Sequence, residues 1–162
     1  MSEQHPKQRF SLSVLLATGL GVGLIAPAPG TFGALWGIPW AWAVLACPEP
    51  WGAWASVWIG IAVGVPLCAA AARHMPQPKD PGEVVWDEIA TVPLVFLPVG
   101  ELGPWWWLAV GFGLHRLFDI SKPWPCNRLE KLPGGLGIMA DDVAAGLYGA
   151  AAMALVRWLA GY

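Results

Sequence analysis

Charge is what this chain has least of. Of its 162 residues, 9 are Lys or Arg and 11 are Asp or Glu, 12% together. A soluble globular domain carries about 25%. The formal net charge of −2 leaves no basic face, which excludes nucleic acid as a partner. Cysteine is scarce as well. Cys47, Cys68 and Cys126 are odd in number and scattered, so they are expected to act as small buried apolar residues in a reducing setting. His5, His74 and His115 lack partners at metal-ligand spacing, and no Ser–His–Asp order stands out. Strand alternation never persists and no fixed-period repeat occurs, which leaves an all-α fold.

Apolar sequence fills the rest: 56% of residues are hydrophobic and the mean hydropathy is +0.53. Residues 1–10 form a polar tail and 11–162 a single helical domain. The tail and the apolar run from Phe10 resemble the first half of a signal peptide, but Ala26–Gly30 leads straight into another apolar segment, as in an uncleaved membrane protein. Six helical segments follow: Leu12–Ile25, Thr31–Cys47 with a kink at Pro39, Trp51–Ala72, Trp86–Leu97, Trp105–Ile120 and Asp142–Gly161. Many of the twelve Trp lie at segment ends, where a membrane interface favours an amphipathic ring.

Basic residues give the topology. Lys7 and Arg9, Arg73 and Lys79, and then Arg116, Lys122, Arg128 and Lys131 mark three regions, while Cys47–Pro50 and Pro98–Pro104 contain neither Lys nor Arg. Positive loops favour the cytoplasm. Thr31–Cys47, Ile89–Leu97 and Val143–Ala160 then run outward, and Trp51–Ala72 and Trp105–Arg116 run inward. Leu12–Ile25, weakened by Gly19, Gly21 and Gly23, is expected to dip into the membrane or lie along it, which leaves Pro29-Gly30-Thr31 on the cytoplasmic side.

The acids are concentrated on that same side. Seven of the 11 occupy three stretches: Asp80 to Asp87-Glu88 with Glu83 between them, Asp119, and Asp141-Asp142. Carboxylates at the edge of a low-dielectric medium are costly without a neutralising cation. Their grouping points to a divalent metal site at a membrane surface, suited to a lipid phosphate. Each cluster also has a plainer explanation. Asp87-Glu88 at a helix start complements the helix dipole, and Asp80 suits a solvated turn. Asp141-Asp142 is expected to open a helix behind Gly134–Gly137, whose backbone N–H groups could cradle an anion. Arg116, Asp119 and Lys122, spaced three apart, would line one helix face as an ion-pair ladder.

These motifs resemble the phosphatidylglycerophosphatase A family of bacterial lipid phosphatases. The resemblance rests on Pro29-Gly30-Thr31, Asp80 through Asp87-Glu88, Arg116-Leu-Phe-Asp119 with Lys122-Pro-Trp-Pro125, and Gly134 through Asp141-Asp142 to Gly146. It implies a Mg²⁺-dependent, multi-pass enzyme of the bacterial inner membrane with its site on the cytoplasmic side. The reaction is hydrolysis of phosphatidylglycerophosphate to phosphatidylglycerol and phosphate. Mg²⁺ takes oxygen ligands and keeps waters, which suits a site made of carboxylates.

In that assignment Asp87, Glu88, Asp119, Asp141 and Asp142 hold metal, with Asp80 behind them. Arg116, Lys122 and Thr31 contact phosphate, and Glu88, Asp119, Lys122 and Asp142 carry the chemistry. Either an activated water attacks phosphorus, or Asp119 or Asp142 acts as nucleophile. Glu88, Asp119 and Asp142 are expected to share one metal or two adjacent ones, and Lys122, free of a full ion-pair network, to reach a phosphate rather than hold the fold. The competing class is a membrane cation transporter or channel, whose acids would lie near mid-helix along a path. The sequence does not give the oligomeric state.

Overall fold

The structure, a computed structural model, describes residues 11–79 and 81–161. The polar tail and Asp80 lie outside the described residues. Eight α-helices and no strand occur among them: α1 (Leu12–Ala17), α2 (Val22–Ile25), α3 (Pro29–Leu45), α4 (Pro50–Ala72), α5 (Trp86–Phe96), α6 (Trp105–Ser121), α7 (Cys126–Leu129) and α8 (Gly135–Leu159). A 3-10 turn, Leu97–Val99, extends α5.

The shortest of the apolar segments becomes the centre. In α5 every residue from Glu88 to Phe96 is buried, enclosed by α3, α4, α6 and α8. Missing side chains on its neighbours allow the close approach. A Cβ at Gly37 of α3 would lie 2.6 Å from Val92 Cβ, and one at Gly146 of α8 would lie 2.9 Å from Leu94 Cδ1. Lipid tails are as apolar as Leu, so helices in a bilayer associate through such close van der Waals packing.

Large apolar side chains also lie on the outside of the bundle. Trp42, Trp51, Trp58, Ile59, Val63, Leu155 and Trp158 are exposed, a surface that a water-soluble protein would bury against a partner. Stretches of 22 and 25 residues in α4 and α8 are long and apolar enough to cross a membrane, which takes about 20 residues. At 11 residues α5 is too short to cross alone. The outward crossing expected of Ile89–Leu97 is instead a half-length helix shielded by its neighbours.

Three segment expectations change. Leu12–Ile25 is not one helix: it breaks between α1 and α2, where Gly19, Leu20 and Gly21 all have positive φ. Neither piece is of membrane-spanning length. The break is anchored, since Trp36 Nε1 donates to the Gly19 carbonyl at 3.0 Å and the Val85 N–H to the Ala17 carbonyl at 2.8 Å. α8 begins at Gly135, not at Asp142, so Asp141 and Asp142 lie in its second turn. Two of the glycines before them are packing positions: a Cβ at Gly135 would collide with the Val65 carbonyl of α4, and one at Gly137 with the Leu132 carbonyl. α7 is an additional short helix, with Cys126 buried in it.

Gly146→Val should destabilise the bundle by about 1–3 kcal/mol through overpacking, because a Cβ there meets Leu94 and lies 3.1 Å from the Thr91 carbonyl. Gly113→Ala, with nothing within 4 Å, serves as the control. Thermal unfolding in detergent should show a lower Tm for Gly146→Val alone. Equal Tm values for both variants would contradict the packing account.

Candidate active site

Four helix ends meet at one cavity of about 340 Å³. The first turn of α5 brings Asp87 and Glu88, the last turns of α6 bring Arg116 and Asp119, and the second turn of α8 brings Asp141 and Asp142. Lys122 enters from the residue that caps α6. Pro29 and Gly30, at the start of α3, close one edge, and Lys79 and Glu130 line another. Seven of the nine residues singled out from the sequence thus line a single cavity. Thr31 lies in the first turn of α3, beside Gly30, and is not among the lining residues.

Interlocking contacts hold Glu88 in place. Arg116 Nη1 donates to Glu88 Oε1 at 3.3 Å and also pairs with Asp119 Oδ2 one turn along α6. A Cβ at Gly30 would collide with Glu88 Oε1 and lie 3.3 Å from Arg116 Nη1. The glycine of the Pro29-Gly30-Thr31 motif is therefore explained by the room this ion pair occupies. Behind the carboxylates, Thr91 Oγ1 donates to the Asp87 carbonyl at 2.7 Å and lies 3.0 Å from His115 Nε2. A hydroxyl has one proton to give, so Thr91 accepts from His115 and the imidazole carries its hydrogen on Nε2. This buried bond ties the acidic end of α5 to α6.

Negative charge exceeds positive charge around the cavity. Asp142 lies within electrostatic range of Asp87, Asp119, Glu88 and Asp141, and among the described lining residues six acids, Glu130 included, face three cations, Lys79, Arg116 and Lys122. Asp87 Oδ1, Glu88 Oε2 and Asp142 Oδ2 are buried without a hydrogen-bond partner among the described residues. An uncompensated buried carboxylate costs several kcal/mol, so the arrangement favours one more cation. No group of three or more Asp, Glu, His or Cys among the described residues forms a ready-made metal cage. The shared cage expected of Glu88, Asp119 and Asp142 is accordingly absent as such. An ion that needs only one or two carboxylates, with waters and substrate oxygens completing its shell, still suits an all-oxygen donor set with unpartnered lone pairs; Mg²⁺ is such an ion.

Lys122 departs most from its expected place. It does not continue the α6 face but caps the helix in the left-handed region, with φ 41° and ψ 57°. This turns its ammonium toward α7 and α8, where Nζ donates to Glu130 Oε2 at 2.8 Å and Asp141 Oδ2 at 2.7 Å. Burial works to lower its pKa, but the bonds to Asp141 and Glu130 outweigh burial and raise it. Glu130 is shifted down, chiefly by the hydrogen bond from Lys122. Lys122 is therefore part of an ion-pair network, contrary to expectation. Glu130 escaped the sequence reading because it is a lone acid between Arg128 and Lys131, and only the turn through α7 brings it back to the site.

Residues 15–157 match the family model for phosphatidylglycerophosphatase A. The chain belongs to the phosphatidylglycerophosphatase A family. Its relatives include phosphatidylglycerophosphatase A of Escherichia coli, 40% identical over 84% of this chain and 78% of the relative. The protein of the same name from Haemophilus influenzae is 38% identical over 91% of this chain and 92% of the relative. A putative phosphatidylinositol-3-phosphatase of Bacteroides thetaiotaomicron is 37% identical over 96% of this chain and 99% of the relative. No solved structure matches. Membership in this family makes the chain an enzyme, a phosphatase.

Lys122→Ala should lower stability as well as activity, because it strips the cation from Asp141, whose side chain is 7% exposed. With the Lys122 side chain itself 31% exposed, the expected cost lies between that of surface and buried pairs, about 1–2 kcal/mol. Phosphate release and Tm, measured on the same detergent preparation, should fall together. An unchanged Tm with activity lost would return Lys122 to a purely phosphate-binding role.

Proposed function

We propose that this chain hydrolyses the phosphomonoester of phosphatidylglycerophosphate to phosphatidylglycerol and inorganic phosphate, with Mg²⁺, as a multi-pass protein of the bacterial inner membrane whose site faces the cytoplasm. The observation that carries the reading is the convergence of six carboxylates and three cations on one cavity at the ends of apolar helices. The relatives' names support the substrate class: two are named for phosphatidylglycerophosphate and one for another lipid phosphomonoester. Lys79, Lys122 and Arg116 at the cavity agree with a cytoplasmic location, where basic residues gather. The acids cluster near helix ends, which favours a phosphatase over a cation channel.

One or two of Asp87, Glu88, Asp119, Asp141 and Asp142 would hold Mg²⁺, with waters and substrate oxygens completing its shell; when bound it would polarise phosphate oxygens and acidify a water. Arg116 and Lys122 provide the charge that the transferring phosphoryl group needs as negative charge spreads over its equatorial oxygens. The ion pairs of Arg116 both use Nη1, so its other N–H donors can meet a phosphate in the planar geometry that guanidinium favours. Glu88 and Asp119 orient that guanidinium, and the Thr91–His115 bond holds α5 and α6 in register beneath it.

The test is phosphate release from phosphatidylglycerophosphate by the detergent-purified protein, with Mg²⁺ and with chelator. Chelation should abolish release and added Mg²⁺ restore it. Equal rates in both conditions would end the metal assignment, and no release in either would end the substrate assignment.

A further inference from the structure

The acidic cavity does not end at its carboxylates. Lys79 and Glu130 on its rim also line a second cavity of about 450 Å³, completed by Gln77, Pro78 and Lys131. Two shared side chains make the cavities neighbours, but their chemistry differs. The first is crowded with acids, whereas among the described residues the second presents two lysines and one acid. That acid is already engaged, since Glu130 Oε2 accepts from Lys122 at 2.8 Å. Lys79 and Lys131 are exposed and make no ion pair among the described residues. Gln77 can add an amide donor. The second cavity therefore has an open positive charge beside a site that consumes a phosphate ester.

We propose that this second cavity is the subsite for a non-reacting phosphate, the phosphodiester of a phospholipid substrate, held by Lys79 and Lys131 while the phosphomonoester occupies the acidic cavity. The inference rests on the reading of that cavity as a lipid phosphomonoesterase site. A phosphatidylglycerophosphate carries both groups on one glycerol, so a monoester at the carboxylates leaves a singly charged diester close by. Flexible ammonium groups suit it, because a bystander phosphate needs charge rather than a fixed fork of donors. Contacts to a group that does not change in the reaction bind ground state and transition state alike. They act on KM and leave kcat.

The experiment uses the full chain in zwitterionic detergent and two inhibitors of phosphatidylglycerophosphate hydrolysis. Phosphatidylglycerol presents the diester without the monoester, and inorganic phosphate resembles the monoester without the diester. In the double variant Lys79→Ala/Lys131→Ala, inhibition by phosphatidylglycerol should weaken about tenfold and KM for the substrate should rise by a similar factor, as expected for about 1.4 kcal/mol of lost binding. Inhibition by inorganic phosphate should be unchanged, and Lys79→Arg/Lys131→Arg should restore the wild-type pattern. Equal weakening of both inhibitors, or of neither, would overturn the subsite. Absence of hydrolysis by the wild-type chain would instead remove the active-site reading beneath it.

Discussion

The structure depends on placing the charged end of a short helix inside an apolar bundle. Asp87 and Glu88 begin α5, and from Glu88 onward that helix is buried on every side. Its amino terminus has a partial positive charge that helps to hold the two acids, but within the first turn only. The remaining compensation has to come from neighbouring helices. α3 approaches through Gly30 and Gly33, where a Cβ would lie 2.5 Å from Glu88 Oε2 at the second position. α6 supplies Arg116, and through His115 a hydrogen bond to Thr91 beneath the acids. α8 brings Asp141 with Lys122 attached. Fold and site are thus one problem in packing and charge.

The solution is incomplete within the chain itself. Arg116 is shared between Glu88 and Asp119, and Lys122 between Glu130 and Asp141. Buried oxygens of Asp87, Glu88 and Asp142 have no partner among the described residues. A fold selected for stability alone would replace such acids by apolar groups. Retaining them makes sense where a cation and a phosphate complete the set, because active sites tolerate destabilising charge that function needs. The lysines of the adjoining cavity extend the same logic outward, from the reacting phosphate to the one beside it.

Much of this was legible in the sequence because scarcity made the charges conspicuous. With only 20 charged residues in the chain, the grouping of Asp87-Glu88, Asp119 and Asp141-Asp142 stood out, and basic loops put them on one side. Hydropathy located α3, α4, α6 and α8 to within a few residues, apart from the start of α8. That start was missed because Gly134–Gly137 looks like a loop locally. Only the tight crossing with α4 at Val65 makes glycine a helical residue there. Lys122 was misjudged for a similar reason: spacing by three predicts a helix face, but Pro123 behind it ends the helix and turns the side chain. The central position of α5 was invisible, since a short apolar segment looks the same whether it is enclosed by protein or faces lipid.

The central claim is that the buried carboxylates store an electrostatic cost that a bound cation offsets. Thermal unfolding of the wild type and Asp142→Asn in detergent, with and without Mg²⁺, tests it most directly. Without metal, Asp142→Asn should melt above the wild type, because it removes one of several mutually repelling charges and adds an amide donor for unpartnered oxygens. Mg²⁺ at about 100 times its Kd should stabilise the wild type by about 2.7 kcal/mol, and the variant by much less. A wild type indifferent to Mg²⁺, together with a variant that melts lower, would contradict the account.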